Sequence, residues 1–219
     1  VLRVEGPRPE MMTHVKADMA SIRDRLESVN EKIVQACQSV NRKPEDVTLV
    51  VVTKRRSAHT VALLSSLGIK HIGENYVQEV IDKQTELGEV SSNYSWHLIG
   101  TLQRKKAKFL PERIDLMHSV DRIEVAQKLN DEFSKTGRRL PIFLQVNVSG
   151  EISKSGWRIP EGMPDAVFLE EVEQIRDLPA LQLKGLMTMP PFSKDGENSR
   201  QYFVAIRKLA EKVNAHFRA

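Results

Sequence analysis

Short apolar runs alternate with amphipathic stretches along most of this 219-residue chain. Six runs have the length and β-branched composition of buried strands, and each is followed by residues with the apolar spacing of a helix. Consecutive βα units of this kind build a parallel sheet with right-handed crossovers. The predicted strands cover residues 49–54, 70–75, 96–100, 116–120, 141–148 and 181–189.

Polar side chains recur where these strands end, and they help to choose between a doubly wound sheet and a (β/α)8 barrel. In a barrel all strand ends converge on one mouth, whereas a doubly wound sheet joins only those at its switch point. No GxGxxG or GxxxxGK[ST] motif follows the first strand. We therefore predict a (β/α)8 TIM-type barrel, forming one domain over residues 1–219. The polar strand ends are Lys54, Glu74, Asn75, His97, His118, Ser119, Asn147, Met187 and Thr188.

Residues 11–40 precede the first strand and place apolar side chains on one helical stripe. The intervening positions are charged or polar, which predicts one long helix lying across a larger body. A coiled-coil arm is the alternative, but about four heptads is short for that interpretation. Pro44 follows the stripe and is expected to end the helix.

The composition excludes several classes of protein. The single cysteine, Cys37, rules out an internal disulfide framework and any CxxC site, and fits a reducing compartment. No apolar run approaches the ~18 residues of a membrane span, and residues 1–10 lack the apolar core of a signal peptide. We therefore expect a cytoplasmic protein without a membrane partner. The net charge of +4 is too small to identify a ligand.

The first predicted strand, residues 49–54, ends on a lysine followed by Arg55 and Arg56. A lysine held at the mouth of an apolar barrel beside two cations would have its ammonium form disfavoured by desolvation and like charge. Such an amine can attack an aldehyde and form a Schiff base. The alternative is a solvated lysine just past a strand end, and this stretch alone leaves both interpretations open.

The other candidate constellations favour structural roles. His97 and His118 lack a third ligand at metal spacing, so we expect no metal site. The run Arg104–Lys108 is basic but has no interleaved aromatic residues, so we expect a solvated surface and no nucleic-acid partner. Asn75 has two interpretations, because a residue of this type can cap the following helix or bind a ligand.

Six motifs at the predicted strand ends carry a specific resemblance. In chain order they are VVVTK at 50–54, IGENYVQE at 72–79, WHLIG at 96–100 followed by LQRKK, HSVDR at 118–122, QVNVSGEISKSG at 145–156 and GLMTM at 185–189. Each alone is weak evidence, but together they cover residues 45–192 in order. In these motifs the chain resembles the pyridoxal-phosphate homeostasis protein family.

The resemblance implies a single barrel similar to the N-terminal domain of alanine racemase, with pyridoxal 5′-phosphate (PLP) held as a Schiff base on Lys54. It places Asn75 near the cofactor ring. It also implies a protein that binds PLP and delivers it to apo PLP-dependent enzymes, with no established catalytic turnover, and we expect a monomer. A PLP-dependent enzyme acting on amino acids, such as a racemase, is the alternative. Further residues implied to line the mouth are His97, Ser119, Asn147 and Met187.

The chain departs from the family pattern in two places. Arg55-Arg56-Ser57 follows the lysine where the family has a Thr-x-Pro type turn, which predicts a different local turn. Two later family strands, which supply the phosphate site and an arginine facing the pyridine nitrogen, have no counterpart. Six βα units cannot close an eight-stranded barrel without leaving unpaired strand edges. We therefore expect two further strands, with the phosphate site, beyond Ala219.

Overall fold

The protein is represented by a computed structural model, which describes residues 9–152, 154–192 and 196–218, with side chains from residue 19 onward. Seven strands and six α-helices alternate along these residues. The strands are β1 Val51–Val52, β2 His71–Glu74, β3 Ser95–Leu98, β4 Leu116–Val120, β5 Leu140–Asn147, β6 Trp157–Arg158 and β7 Leu181–Met187. The helices are α1 Pro9–Gln38, α2 Ala58–Leu64, α3 Val77–Leu87, α4 Ile123–Ser134, α5 Ala166–Arg176 and α6 Glu197–His216.

The sheet is parallel throughout, and its main strands follow one another in chain order from β1 to β5 and then β7. The short strand β6 pairs with the carboxyl end of β5, where Val146 lies opposite Trp157. A doubly wound sheet would reverse its strand order at a switch point, and no reversal occurs among the strands described. The order is that of a TIM-type α/β barrel, which confirms the predicted fold class.

The barrel is open between its first and last main strands. Within the described ranges β1 pairs only with β2, and β7 pairs only with β5. The two edges are not joined by hydrogen bonds, so the expected two strands beyond Ala219 stay a prediction.

Alternate strand residues and the inner faces of the helices form one apolar core. On α4, Val125, Ala126, Leu129 and Phe133 are fully buried, as the helical spacing requires. These side chains belong to the same buried cluster as strand residues from four neighbouring strands. The strand residues are Ile72, Leu98, Met117, Ile142 and Leu144.

The first strand differs from its prediction. Residues 49–54 were expected to form a strand covered on both faces, but β1 contains only Val51 and Val52, and Val52 is 48% exposed. The reason is its position at an edge of the described sheet, because one side lacks a partner strand and the face that carries Val52 lacks cover. The prediction of a fully buried strand is therefore wrong.

The remaining predictions agree more closely with the structure. The long helix is confirmed as α1, although the side chains of residues 11–18 lie outside those described; Ile22 and Leu26 pack against the core while Val40 is exposed. The basic run Arg104–Lys108 lies in a 3-10 helix, Arg104–Phe109. Strand β6 is unpredicted. None of the helices described has the length and apolarity needed to cross a membrane.

Candidate functional site

Lys54 lies just beyond β1, in a turn at the carboxyl end of the strand. The amide of Thr53 still donates to Gly73 O at 3.0 Å, which continues the β1–β2 ladder. The amide of Arg56 then donates back to Thr53 O at 3.0 Å and closes a four-residue turn, with Arg55 at a left-handed φ of 59°. The Lys54 side chain is exposed and makes no hydrogen bond or ion pair with the described residues. Of the two interpretations left open by the sequence, the exposed side chain agrees with a solvated lysine just past a strand end and not with a desolvated one.

A buried ionic cluster lies against this turn. Lys83 Nζ donates to Glu74 Oε1 at 2.6 Å, to Glu79 Oε2 at 2.9 Å and to Thr53 O at 2.8 Å. Thr53 Oγ1 donates to Glu74 Oε1 at 2.5 Å, and the Arg55 amide donates to Glu79 Oε2 at 2.8 Å. Lys83 and Glu79 are on α3, so this helix and β2 together contact both neighbours of the exposed lysine.

The two carboxylates of this cluster shift in opposite directions. Burial raises the pKa of Glu74, and the hydrogen bonds from Lys83 and Thr53 only partly oppose it. Burial also acts to raise the pKa of Glu79, but the hydrogen bonds from the Arg55 amide and Lys83 outweigh it and lower that pKa. Glu74 Oε2 is buried without a partner among the residues of known position. Sequence reasoning missed this cluster, although Glu79 and Lys83 have the i, i+4 spacing of a helical ion pair.

The ends of β2, β3 and β4 are joined by two close contacts. A Cβ atom at Gly100 would lie 2.3 Å from Asn75 O, so only glycine allows this approach of the two chains. Ser119 Oγ donates to Gly100 O at 2.5 Å. Tyr76, rather than Asn75, is the N-cap residue of α3, so the capping role considered for Asn75 is not observed.

Two further predicted residues, Asn147 and Met187, lie at the ends of β5 and β7. Asn147 Nδ2 donates to Glu151 O at 2.7 Å, and its Oδ1 accepts from the Gly150 amide at 3.0 Å. These bonds hold the loop after β5. Met187 is half-buried and pairs with Gln145. The structure therefore places Lys54, Asn75, Ser119, Asn147 and Met187 along one edge of the sheet, at its carboxyl end.

His97 has different surroundings from the other predicted residues. Its Nε2 lies 3.0 Å from His71 Nδ1, and its Nδ1 lies 2.8 Å from His118 Nε2. The three imidazoles thus form a hydrogen-bonded chain across β2, β3 and β4, with the ring of Phe143 against His118. Both ring nitrogens of His97 are thus engaged by other histidines, unlike the side chains of the other predicted site residues. Sequence reasoning did not predict the chain.

Two of the three imidazoles, those of His97 and His118, disfavour positive charge, and the arrangement of the three rings does not suit a metal ion. Burial lowers the pKa of His97 from 6.5 to about 4, with further lowering by His118 and His71. Burial lowers the pKa of His118 from 6.5 to about 4. Because His97 presents a different nitrogen to each neighbour, no single ion can be bound by all three rings. The described residues contain no group of three or more His, Cys, Asp or Glu side chains placed to hold a metal ion.

The basic segment Arg104–Phe109 follows the end of β3. None of its four cationic side chains forms an ion pair within the described parts of the chain. Lys108 Nζ lies 4.9 Å and Lys106 Nζ 5.6 Å from the centre of the Phe109 ring, which is the range of cation–π contacts. Phe109 itself is partly exposed.

Comparison with known proteins identifies the architecture. Residues 25–219 match the family model described as alanine racemase, N-terminal domain. The structure superimposes on an alanine racemase of Clostridium difficile with a TM-score of 0.62 at 16% identity, covering 86% of this chain and 46% of the racemase. At that identity the likeness shows the fold alone.

Closer relatives share most of the chain. The pyridoxal phosphate homeostasis protein of Pseudomonas aeruginosa is 36% identical over 196 residues, which are 90% of this chain and 82% of the relative. The protein of the same name from Escherichia coli K12 is 36% identical, over 88% and 79% of the two chains. PipY of Synechococcus elongatus, solved with PLP bound, has a TM-score of 0.70 at 30% identity, over 84% and 82%. The chain belongs to the family of pyridoxal phosphate homeostasis proteins, which is built on the fold of the alanine racemase N-terminal domain.

Proposed function

We propose that this protein binds PLP as a Schiff base on Lys54 and acts in intracellular PLP homeostasis and delivery. The observation that carries the proposal is an exposed primary amine at the carboxyl end of a barrel strand, with both neighbouring residues hydrogen-bonded to other elements. The relatives named for PLP homeostasis and the PLP-bound PipY structure support the choice of ligand.

The residues around Lys54 fit a phosphorylated aldehyde. Lys54, Arg55 and Arg56 are three consecutive exposed cations, and none is ion-paired within the described ranges. They attract an anionic phosphate ester to the turn by charge. The primary amine of Lys54 would supply the nucleophile for a Schiff base with the aldehyde of such a ligand, with loss of one water.

The other proposed contacts differ in what they offer. Thr53 and Glu74, the residues just before Lys54 and Asn75, are joined by a hydrogen bond. Asn75 therefore lies on the neighbouring strand end to Lys54, and it is the proposed contact to the cofactor ring. Ser119 and Asn147 already use their polar atoms within the protein, and with Met187 they shape the edge of the site. Both ring nitrogens of His97 bond to other histidines, so His97 acts on the site through the imidazole chain and not by a hydrogen bond to the ligand.

Reduction with borohydride tests the covalent link. We expect peptide mapping of the PLP-loaded, reduced protein to place the pyridoxyl group on Lys54, and Lys54→Ala to abolish the adduct while leaving the fold nearly unchanged. Lys70→Ala is a matched control, since Lys70 is also exposed but precedes β2 at the opposite end of its strand. An adduct on another lysine, or on none, contradicts the proposal.

The proposed role also includes a monomeric, cytoplasmic protein that passes PLP to apo-enzymes. Mixing the loaded protein with an apo PLP-dependent aminotransferase should restore the aminotransferase faster than an equal concentration of free PLP. Sedimentation of the loaded protein should give a monomer. Restoration no faster than with free PLP argues against a delivery role.

A further inference from the structure

The exposed Lys54 sits between two peptide groups that are each held by a charged side chain from another element. On one side, Thr53 O accepts from Lys83 Nζ at 2.8 Å. On the other side, the Arg55 amide donates to Glu79 Oε2 at 2.8 Å. Lys83 and Glu79 are themselves bonded at 2.9 Å, so one ion pair on α3 contacts both neighbours of Lys54.

Lys83 is fully used by these contacts. An ammonium group has three protons to donate, and Lys83 Nζ has three acceptors, on Glu74, Glu79 and Thr53. Its side chain is only 7% exposed. A buried lysine whose three donor positions all point at protein acceptors is not directed at a ligand, so Lys83 is not a second nucleophile. Its position fits a structural cation beneath the turn.

The turn itself needs such support. Arg55 has a φ of 59°, a left-handed conformation that glycine or asparagine adopts more readily than arginine. The hydrogen bonds of the Arg55 and Arg56 amides are what hold the chain in this conformation. Without the charged acceptor on Glu79 and the cation on Thr53 O, the turn is free to relax, and the direction of the Lys54 side chain changes with it.

We propose that Lys83, held by Glu74 and Glu79, is a positioning residue that fixes the Thr53–Arg56 turn and so presents the Lys54 amine to its ligand. This inference rests on the proposed function for its second half, which concerns the ligand. Its first half concerns only the turn, and it can be tested on the protein without PLP.

Amide hydrogen exchange tests the first half. We expect Lys83→Met, which keeps the length of the side chain but removes its charge and donors, to raise the exchange rates of the Arg55 and Arg56 amides at least tenfold. Lys128→Met is the matched control, because Lys128 forms an i, i+4 pair with Glu132 on α4, away from this turn. The control should leave both amides at the wild-type rate. Equal rates in wild type and Lys83→Met would overturn the clamp.

PLP affinity tests the second half. We expect the apparent Kd for PLP to rise about tenfold in Lys83→Met, to return toward the wild-type value in Lys83→Arg, and to stay unchanged in Lys128→Met. Rescue by arginine separates a role of the charge from a role of packing alone. A wild-type Kd in a folded Lys83→Met protein whose turn amides exchange faster overturns the positioning role.

Two further points keep the outcomes distinct. If Lys83→Met does not fold, Glu79→Ala removes the partly exposed acceptor of the Arg55 amide and leaves Lys83 bonded to Glu74 and Thr53. It should still accelerate exchange at Arg55, and failure to do so counts against the clamp. If wild-type protein forms no adduct on Lys54, the proposed function fails while the exchange result on the turn still stands.

Discussion

Replacing His97 with glutamine tests whether the imidazole chain is held neutral by burial. His97 is 5% exposed and bonds to a histidine on each side. Its pKa is lowered from 6.5 to about 4, while in the unfolded chain it returns to its ordinary range. The unfolded state therefore binds this proton first as the pH falls, and the folded state loses stability between about pH 6.5 and pH 4.

The size of the effect follows from the two pKa values. Lowering the pKa of His97 from 6.5 to about 4 corresponds to about 3 kcal/mol of the free energy of unfolding at pH 7. This contribution is present in full above pH 6.5 and is lost on reaching pH 4. Solvent screening reduces it little, because the side chain is buried. That is a large part of the roughly 5–15 kcal/mol that stabilises a typical domain. His118 belongs to the same chain, so its own contribution does not simply add.

Urea denaturation of wild type and His97→Gln at pH 7, 6, 5 and 4 measures the difference. Glutamine does not titrate, so the variant lacks this loss on acidification. We expect His97→Gln to be less stable than wild type at pH 7, because its hydrogen bonds are poorer. The difference in free energy of unfolding between the two proteins should shrink by about 3 kcal/mol at pH 4.

A control variant and a clear contrary result complete the test. His59→Gln removes an exposed imidazole from α2 and controls for the change of residue type. A free-energy difference between His97→Gln and wild type that stays constant from pH 7 to pH 4 refutes the reasoning. A constant difference would mean that the folded protein accepts a proton on His97 as readily as the unfolded chain does.

Two other predictions concern the contact of the strand ends and the chemistry at Lys54. Gly100→Ala should destabilise the protein by about 1–3 kcal/mol in urea denaturation, because the new Cβ meets the Asn75 backbone. Gly196→Ala, where nothing lies within 4 Å, should have a smaller effect, and equal losses would contradict the packing argument. Racemisation needs a second base opposite Lys54, and the proposed carrier role includes no such base. The PLP-loaded protein should therefore show no alanine racemase turnover. A rate on the order of 1 per second or more would favour an enzyme.

The sequence predicted the fold well because periodicity records which faces are buried. Strand β4 covers Leu116–Val120 and β7 begins at Leu181, as the apolar runs indicated. Strand β1 was overestimated, since a run of valines has the same pattern whether or not a partner strand covers it. Periodicity does not report whether a neighbouring element covers a strand. The pattern therefore predicted a buried Val52, whereas Val52 at the sheet edge is half-exposed.

The candidate site was harder to predict, because its interactions join residues far apart in the sequence. The row of strand ends from Lys54 to Met187 follows from topology alone. By contrast, the bond between Lys83 and Thr53 O spans 30 residues, and no local pattern contains it. The sequence did not indicate His71 as a site residue, because it lies at the start of β2 and not at its end. In the structure its imidazole is hydrogen-bonded to that of His97.

The imidazole chain also correlates the positions of its protons. When each ring carries one proton, each of the two hydrogen bonds holds one, so His97 donates to one neighbour and accepts from the other. Only two such arrangements exist, and they are related by moving a proton along the whole chain. The tautomer of any one ring therefore sets the tautomers of the other two. The nitrogen chemical shifts of His71, His97 and His118 should consequently change together or not at all.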